Sequence, residues 1–183
     1  YDQKTYAFGA EIAFPADPVI QGHEDNYVFT GWVDAEGNAV EAGITAPAEN
    51  LDIYARYERV KVMLIPKNAD ATTVIDRAGL TVDDYTAESE WYVYGLEEIL
   101  SLNILLRDYI DVQGDGRIVV TKIKDNSKYY GTGSIIDVYD NVTGELVESF
   151  RIIIFGDIDG DSYANGVDLS IIAEEDLGLT GWS

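Results

Sequence analysis

A chain of 183 residues suits one large domain or two small ones, and a hydrophobic content of 46% excludes a disordered polymer despite a net charge of −22. With 34 acidic residues against 12 basic ones, the surface repels nucleic-acid phosphates and attracts divalent cations. The lack of cysteine removes disulfide and thiolate chemistry, and no apolar run reaches the roughly 18 residues of a membrane span. The chain opens on Tyr1-Asp2-Gln3 with no Met and no visible signal peptide, so it reads as part of a longer protein. Its 13 tyrosines and few helix-forming runs predict a mainly β (α+β) protein. Three parts are expected, at 1–59, 60–155 and 156–183.

In the first part, residues 4–8 alternate until Gly9, and 11–14 form a second short run before Pro15 and Pro18. Residues 26–33 read as a strand, 34–38 as a turn, and 51–57 as an alternating strand. Phe29-x-Gly31-Trp32, a Gly-containing turn, then Leu51-x-Ile53-Tyr54-Ala55-x-Tyr57 resemble the Listeria–Bacteroides repeat over about 5–57. The resemblance implies a β-grasp-like module of bacterial surface proteins, hence an extracellular or cell-surface location. The strand that opens that family's module is missing or cut short before Lys4, and an unpaired edge invites association. Trp32 and Tyr54 could stack a carbohydrate, but the ordinary place of Trp in such a module is the core.

The central part begins with a strand over 60–66, ended by Pro66. Residues 71–77 form a short strand or turn-flanked segment, and 90–94 are aromatic and β-prone until Gly95. Residues 97–107 carry an apolar stripe of Ile99, Leu100, Leu102, Leu105 and Leu106 that predicts a helix, with Ser101 and Asn103 as starts for a shorter one. Residues 109–112, the turn Gly114-Asp115-Gly116 and 117–122 predict a hairpin; 134–139, a turn at 140–144 and 145–155 predict another. Val74-Ile75-Asp76-Arg77, Val93-Tyr94-Gly95-Leu96, Gly114-Asp115-Gly116, Gly131-Thr132-Gly133-Ser134 and Ile154-Phe155-Gly156-Asp157 resemble a module found before dockerins in clostridial surface proteins, which brings no catalytic residue with it.

The most specific stretch is Gly156-Asp157-Ile158-Asp159-Gly160-Asp161-Ser162-Tyr163-Ala164-Asn165-Gly166-Val167-Asp168-Leu169. Counted from Asp157, oxygen side chains fall at positions one, three, five, nine and twelve, the spacing of an EF-hand calcium loop. Ca2+ takes about six to eight oxygen ligands at roughly 2.3–2.6 Å, so carboxylates that alternate along a tight turn can converge on it. Asp157, Asp159 and Asp161 are the expected carboxylate ligands, Tyr163 offers its carbonyl, Asn165 acts directly or through water, and Asp168 closes the shell. Position six is Ser162 where such loops carry Gly, and position twelve is Asp rather than Glu. The bland alternative is a solvated Asp/Asn/Gly turn.

A strand, then Gly-Asp-x-Asp-Gly-Asp, then Asp-Leu and a helix resembles one calcium-binding half-repeat of a dockerin, over about 156–177. That resemblance implies a cohesin-like partner, recognised near Gly166 and Val167. Only one repeat is visible. In the helix, Leu169, Ile172, Ala173 and Leu177 are expected to form a buried stripe against the 154–155 strand. Catalysis finds little support. His23 is the single histidine and reads as a surface residue, which argues against a triad or a His-rich zinc site. Gly131-x-Gly133 lacks the remaining parts of a phosphate loop and reads as a turn. No carboxylate pair stands out for glycoside hydrolysis. The expectation is a non-catalytic, calcium-binding adhesion or assembly module, with cohesin docking or glycan binding through Trp32 or Trp91 as alternatives. Nothing in the sequence fixes an oligomeric state.

Overall fold

A computed structural model describes residues 3–68, 72–78 and 91–177. The protein is mainly β, and it divides into two compact units, Tyr1–Lys61 and Val62–Ser183.

In the first unit, β1 (Tyr27–Val33) and β2 (Tyr54–Arg59) pair antiparallel, with Tyr27 opposite Arg59 and Val33 opposite Tyr54. The register shifts between Phe29 and Gly31, where Gly31 has a φ of +134° open to glycine but not to a side chain. Phe29 and Tyr57 face each other across the pair at 5.8 Å, and Trp32 packs between Phe29 at 5.4 Å and Phe14 at 5.8 Å. Those ring contacts make Trp32 part of the unit's packing rather than an open platform, while Tyr54 is exposed. Asp34 closes the turn after β1 by accepting from the Glu36 and Asn38 amides and the Asn38 side chain; the last of these holds its carboxyl below the usual range. Residues 4–8 and 11–14 are not strands. Instead the backbone of 9–12 pairs with 44–46 through a single bridge, Glu11 opposite Thr45. β2 also starts three residues later than the alternation predicts.

The second unit holds β3 (Met63–Pro66), β4 (Val74–Asp76), β5 (Trp91–Tyr94), β6 (Ile110–Gln113), β7 (Gly116–Thr121), β8 (Ile135–Asp140) and β9 (Leu146–Ile152). The β8–β9 hairpin forms as its turn residues predict. The expected β6–β7 hairpin does not. β6 pairs with β3, while β7 lies at the edge of a five-stranded sheet in the order β4-β5-β9-β8-β7. Gly114, at a φ of +74°, redirects the chain between the two sheets. A Cβ on Gly116 would meet Val62 at 2.5 Å and Val112 at 2.8 Å, so the crossover needs a bare Cα there. β5 and β9 run parallel, and Ala71 and Glu90, which the sequence places in the strands around β4 and β5, lie outside the described residues.

Alternation along β9 turns Glu148, Phe150 and Ile152 inward, onto a core that includes Leu64, Val93, Leu100, Leu105, Ile110, Ile136 and Val138. Glu148 is a carboxylate on an apolar face and is fully engaged. It accepts from Arg77 Nε at 2.7 Å, Arg77 Nη2 at 2.9 Å and the Leu64 amide at 2.7 Å. Trp91 packs on Phe150 at 5.5 Å.

The helix predicted over 97–107 is corrected. One short turn, α1 (Leu102–Ile104), starts at Ser101, whose Oγ accepts from the Ile104 amide, and runs into a π-helical turn at Leu105–Tyr109. Residues before Ser101 cannot be helical because their backbone is committed elsewhere. The Ile99 amide donates to the Ser162 carbonyl, the Leu100 amide to Ser162 Oγ, and the Tyr130 amide to the Leu100 carbonyl. Ile99 accordingly sits at a φ of +61°. The terminal helix, α2 (Gly166–Asp176), forms, but its expected buried stripe does not: Leu169 is 68% exposed, Ile172 51% and Leu177 70%, and Ala173 is exposed too. Asp168 is the residue that α2 buries.

Candidate metal centre

The loop hangs from the end of β9. Ile154 is buried, and its amide and carbonyl both bond Thr132 Oγ1, at 3.0 and 3.1 Å. Gly156 then turns at a φ of +93° and brings Asp157 inward, to 1% exposure.

Asp157 organises the loop. Its Oδ1 accepts from the Gly160 amide at 2.8 Å, and its Oδ2 from Thr132 at 2.7 Å and Ser162 at 3.2 Å. The Thr132 bond ties the loop to the segment before β8. Gly131 makes the approach close, since a Cβ there would lie 2.2 Å from the Gly160 carbonyl oxygen. Two residues wind the loop tightly, Gly160 at a φ of +77° and Ser162 at +78°. The second is where EF-hand loops place glycine for their sharp turn. Ser162 adopts the glycine-like backbone, and its buried hydroxyl accepts the Leu100 amide at 3.0 Å.

Asp159 Oδ1 accepts from the Asp161 amide and Asp161 Oδ1 from the Tyr163 amide, both at 2.9 Å. These two local turns point successive carboxylates the same way. One oxygen from each of Asp157, Asp159 and Asp161 lies within 4.8 Å of the others. Two oxygens that share a calcium ion at roughly 2.5 Å can be at most about 5 Å apart, so the trio fits one cation. Each carboxylate oxygen has two lone pairs, so the amide contacts leave acceptor capacity. Around this trio the sequence set divides. Asn165 is the N-cap of α2, its Oδ1 accepting from Val167 at 2.8 Å. Asp168 lies outside the converging set. Its Oδ1 accepts from the Ile158 and Asp159 amides at 2.7 and 3.0 Å, and its Oδ2 from Asn165 at 2.9 Å. The Asn165 amide first, and the other two after it, hold the Asp168 carboxyl below the usual carboxylate range. Asp168 therefore pins both ends of the loop together and completes the capping box of α2. Tyr163 stacks its ring edge-on to Tyr129 at 5.7 Å, and burial pushes its hydroxyl pKa up.

Besides Ile99 and Leu100, two further partners of this loop escape sequence reasoning. Lys124 Nζ lies 2.9 Å from Asp159 Oδ2, and Thr132 supplies the amide for Asp157. Lys124 belongs to a run with three lysines, at 122, 124 and 128, in a chain that is otherwise strongly acidic, which was a usable signal. The 124–129 loop and the metal loop together border a cleft of about 650 Å³, lined by Lys124, Lys128, Tyr129, Asp161 and Tyr163 among others. Comparison of the chain with protein-family models, curated proteins and solved structures finds no match.

Proposed function

We propose that the protein is a non-catalytic module of a secreted or cell-surface bacterial protein, which binds calcium structurally and serves adhesion or assembly. In this reading the first unit is β-grasp-like and the 157–168 loop is EF-hand-like. The observation that carries it is the convergence of the Asp157, Asp159 and Asp161 carboxylates around one point. Those three would hold the ion, with the Tyr163 carbonyl and Asn165 as further oxygen donors, while Asp168 would have to move from its capping bonds to close the shell. The ion would supply the charge neutralisation that the single ammonium of Lys124 leaves incomplete, and its binding free energy would add to the stability of the folded loop. Calorimetric titration of metal-stripped protein tests this, together with melts in calcium and in chelator. One site and a higher melting temperature in calcium are expected. No heat at millimolar calcium and no change in melting would refute the reading.

A second reading, docking onto a cohesin-like partner, draws support from the exposed apolar residues of α2, chiefly Val167, Leu169 and Ile172. Capture by a cohesin panel that disappears on Leu169→Asp would favour it, and a panel with no binding would sink it.

A further inference from the structure

Asp159 already has a cation. Lys124 Nζ sits 2.9 Å from its Oδ2, on the carboxylate at the centre of the candidate metal loop, and this side chain reaches in from a different segment of the chain. The contact is partly shielded, with the Asp159 side chain 19% exposed and that of Lys124 41%. The segment that presents Lys124 is itself braced. Lys122 Nζ donates to the Ser127 carbonyl at 2.7 Å, the Ser127 amide donates to the Lys124 carbonyl at 3.0 Å, and the Tyr130 amide donates to Leu100. Lys122 is thus committed to its own loop, while Lys124 is the lysine held against the carboxylate trio.

We infer that Lys124 is a tethered competitor for the metal: its ammonium stabilises Asp159 in the metal-free loop and must leave when a divalent cation binds. This rests on the reading of 157–168 as a calcium loop. The reason is charge and geometry. A single ammonium cannot neutralise three carboxylates, so the trio keeps a demand for a divalent ion. That ion, ligated by Asp159, repels an ammonium placed at hydrogen-bond distance from the same carboxylate. The displaced side chain has somewhere to go, because Lys124 also lines the adjoining cleft beside Tyr129 and Asp161. Lys124 therefore sets the calcium concentration at which the loop fills, and filling the loop hands a positive charge to the cleft.

The test uses the full chain as wild type, Lys124→Met and Lys124→Arg, stripped of metal and titrated with calcium chloride by calorimetry, with circular dichroism to confirm the fold. Lys124→Met is expected to bind calcium about two- to fivefold more tightly than wild type, the range for losing one partly exposed ion pair. Lys124→Arg, which keeps the charge, is expected to stay within about twofold of wild type. In wild type, calcium is also expected to raise the acylation rate of Lys124 by acetic anhydride, read by peptide mass. Equal or weaker calcium affinity in Lys124→Met overturns the inference, as does a Lys124 acylation rate that calcium leaves unchanged. Folded protein with no calcium heat in any of the three chains overturns the loop reading itself, and the inference with it.

Discussion

Ser162 carries two opposed effects that substitution can separate. Its φ of +78° is a conformation that disfavours any side chain by about 1–2 kcal/mol relative to glycine. Its hydroxyl, wholly buried, accepts the amide of Leu100, a residue only 1% exposed, at 3.0 Å. Leaving a buried amide without a partner costs about 1–3 kcal/mol. Ser162→Ala keeps the strain and loses the acceptor, so a loss of about 2 kcal/mol is expected. Ser162→Gly loses the same acceptor but relieves the strain, leaving it about 1 kcal/mol below wild type. For a unit of this size each kcal/mol corresponds to about 4 °C. Calorimetric melts in chelator should therefore rank wild type above Ser162→Gly, and Ser162→Gly above Ser162→Ala. A glycine variant at least as stable as wild type would mean that relief of the strain equals or outweighs the Leu100 bond, against the ranking expected. Alanine and glycine variants of equal stability would mean that the left-handed backbone exerts no penalty.

Arg77→Ala leaves Glu148 buried with only the Leu64 amide, and a loss of about 2–3 kcal/mol is expected in urea unfolding, discounted from a fully buried pair because Arg77 is 31% exposed. Gly131→Ala forces a Cβ to within 2.2 Å of the Gly160 carbonyl oxygen and should cost about 1–3 kcal/mol and weaken calcium binding, whereas Gly166→Ala, which meets nothing within 4 Å, should leave both nearly unchanged. Asp168→Asn places an amide donor among the three backbone donors of Ile158, Asp159 and Asn165. The native Asp168 pKa lies below its unfolded value, so its stabilisation is complete above the ordinary carboxylate pKa of about 4 and is lost as pH falls through the lower native value. Urea midpoints of wild type and Asp168→Asn in chelator should accordingly diverge at neutral pH and approach each other toward about pH 2, and a gap that persists there would contradict this role.

The sequence signals that held were local. Alternation with turn residues between the runs placed β1, β8 and β9, and the Asp spacing brought out the trio at 157, 159 and 161. What failed was set by partners far along the chain. The apolar stripe at 97–107 has helical spacing, yet residues 99 and 100 give their amides to Ser162, more than sixty residues away. The Gly114-Asp115-Gly116 turn has the composition of a hairpin, but the crowding of Val62 and Val112 around Gly116 decides that the chain changes sheets. Glu148 falls at the same parity as Phe150 and Ile152, so its burial was legible in β9, while its partner Arg77 was not. The apolar stripe on α2 predicts burial, and only tertiary structure could say that nothing among the described residues of the chain covers it.

The position of the loop alters what calcium would do. A loop at the end of a chain is expected to fray without metal and to leave everything before it undisturbed. Here the loop backbone is part of the second unit. Asp157 takes the Thr132 amide, Ser162 takes the amides of Ile99 and Leu100, and Leu100 in turn sits in the core and accepts from Tyr130. Opening the loop would therefore strip partners from two other segments of that unit, at 99–100 and at 132. Amide donors already satisfy Asp157 and Asp168, which lets the metal-free loop keep its shape, and of the more exposed pair Asp159 has only the single ammonium of Lys124 to set against the charge it shares with Asp161. Calcium at about 100 times its dissociation constant would then add about 2.7 kcal/mol to unfolding of the whole second unit, rather than to a terminal tail alone. Asp157→Ala with Asp168→Ala in one chain distinguishes the two cases. Protection of amides from hydrogen exchange should fall across 99–134 as well as 156–176, while the amides of β1 and β2 in the first unit keep theirs. Loss confined to 156–176 would show that the loop is an appendage, and loss in β1 and β2 would show that the two units are not independent.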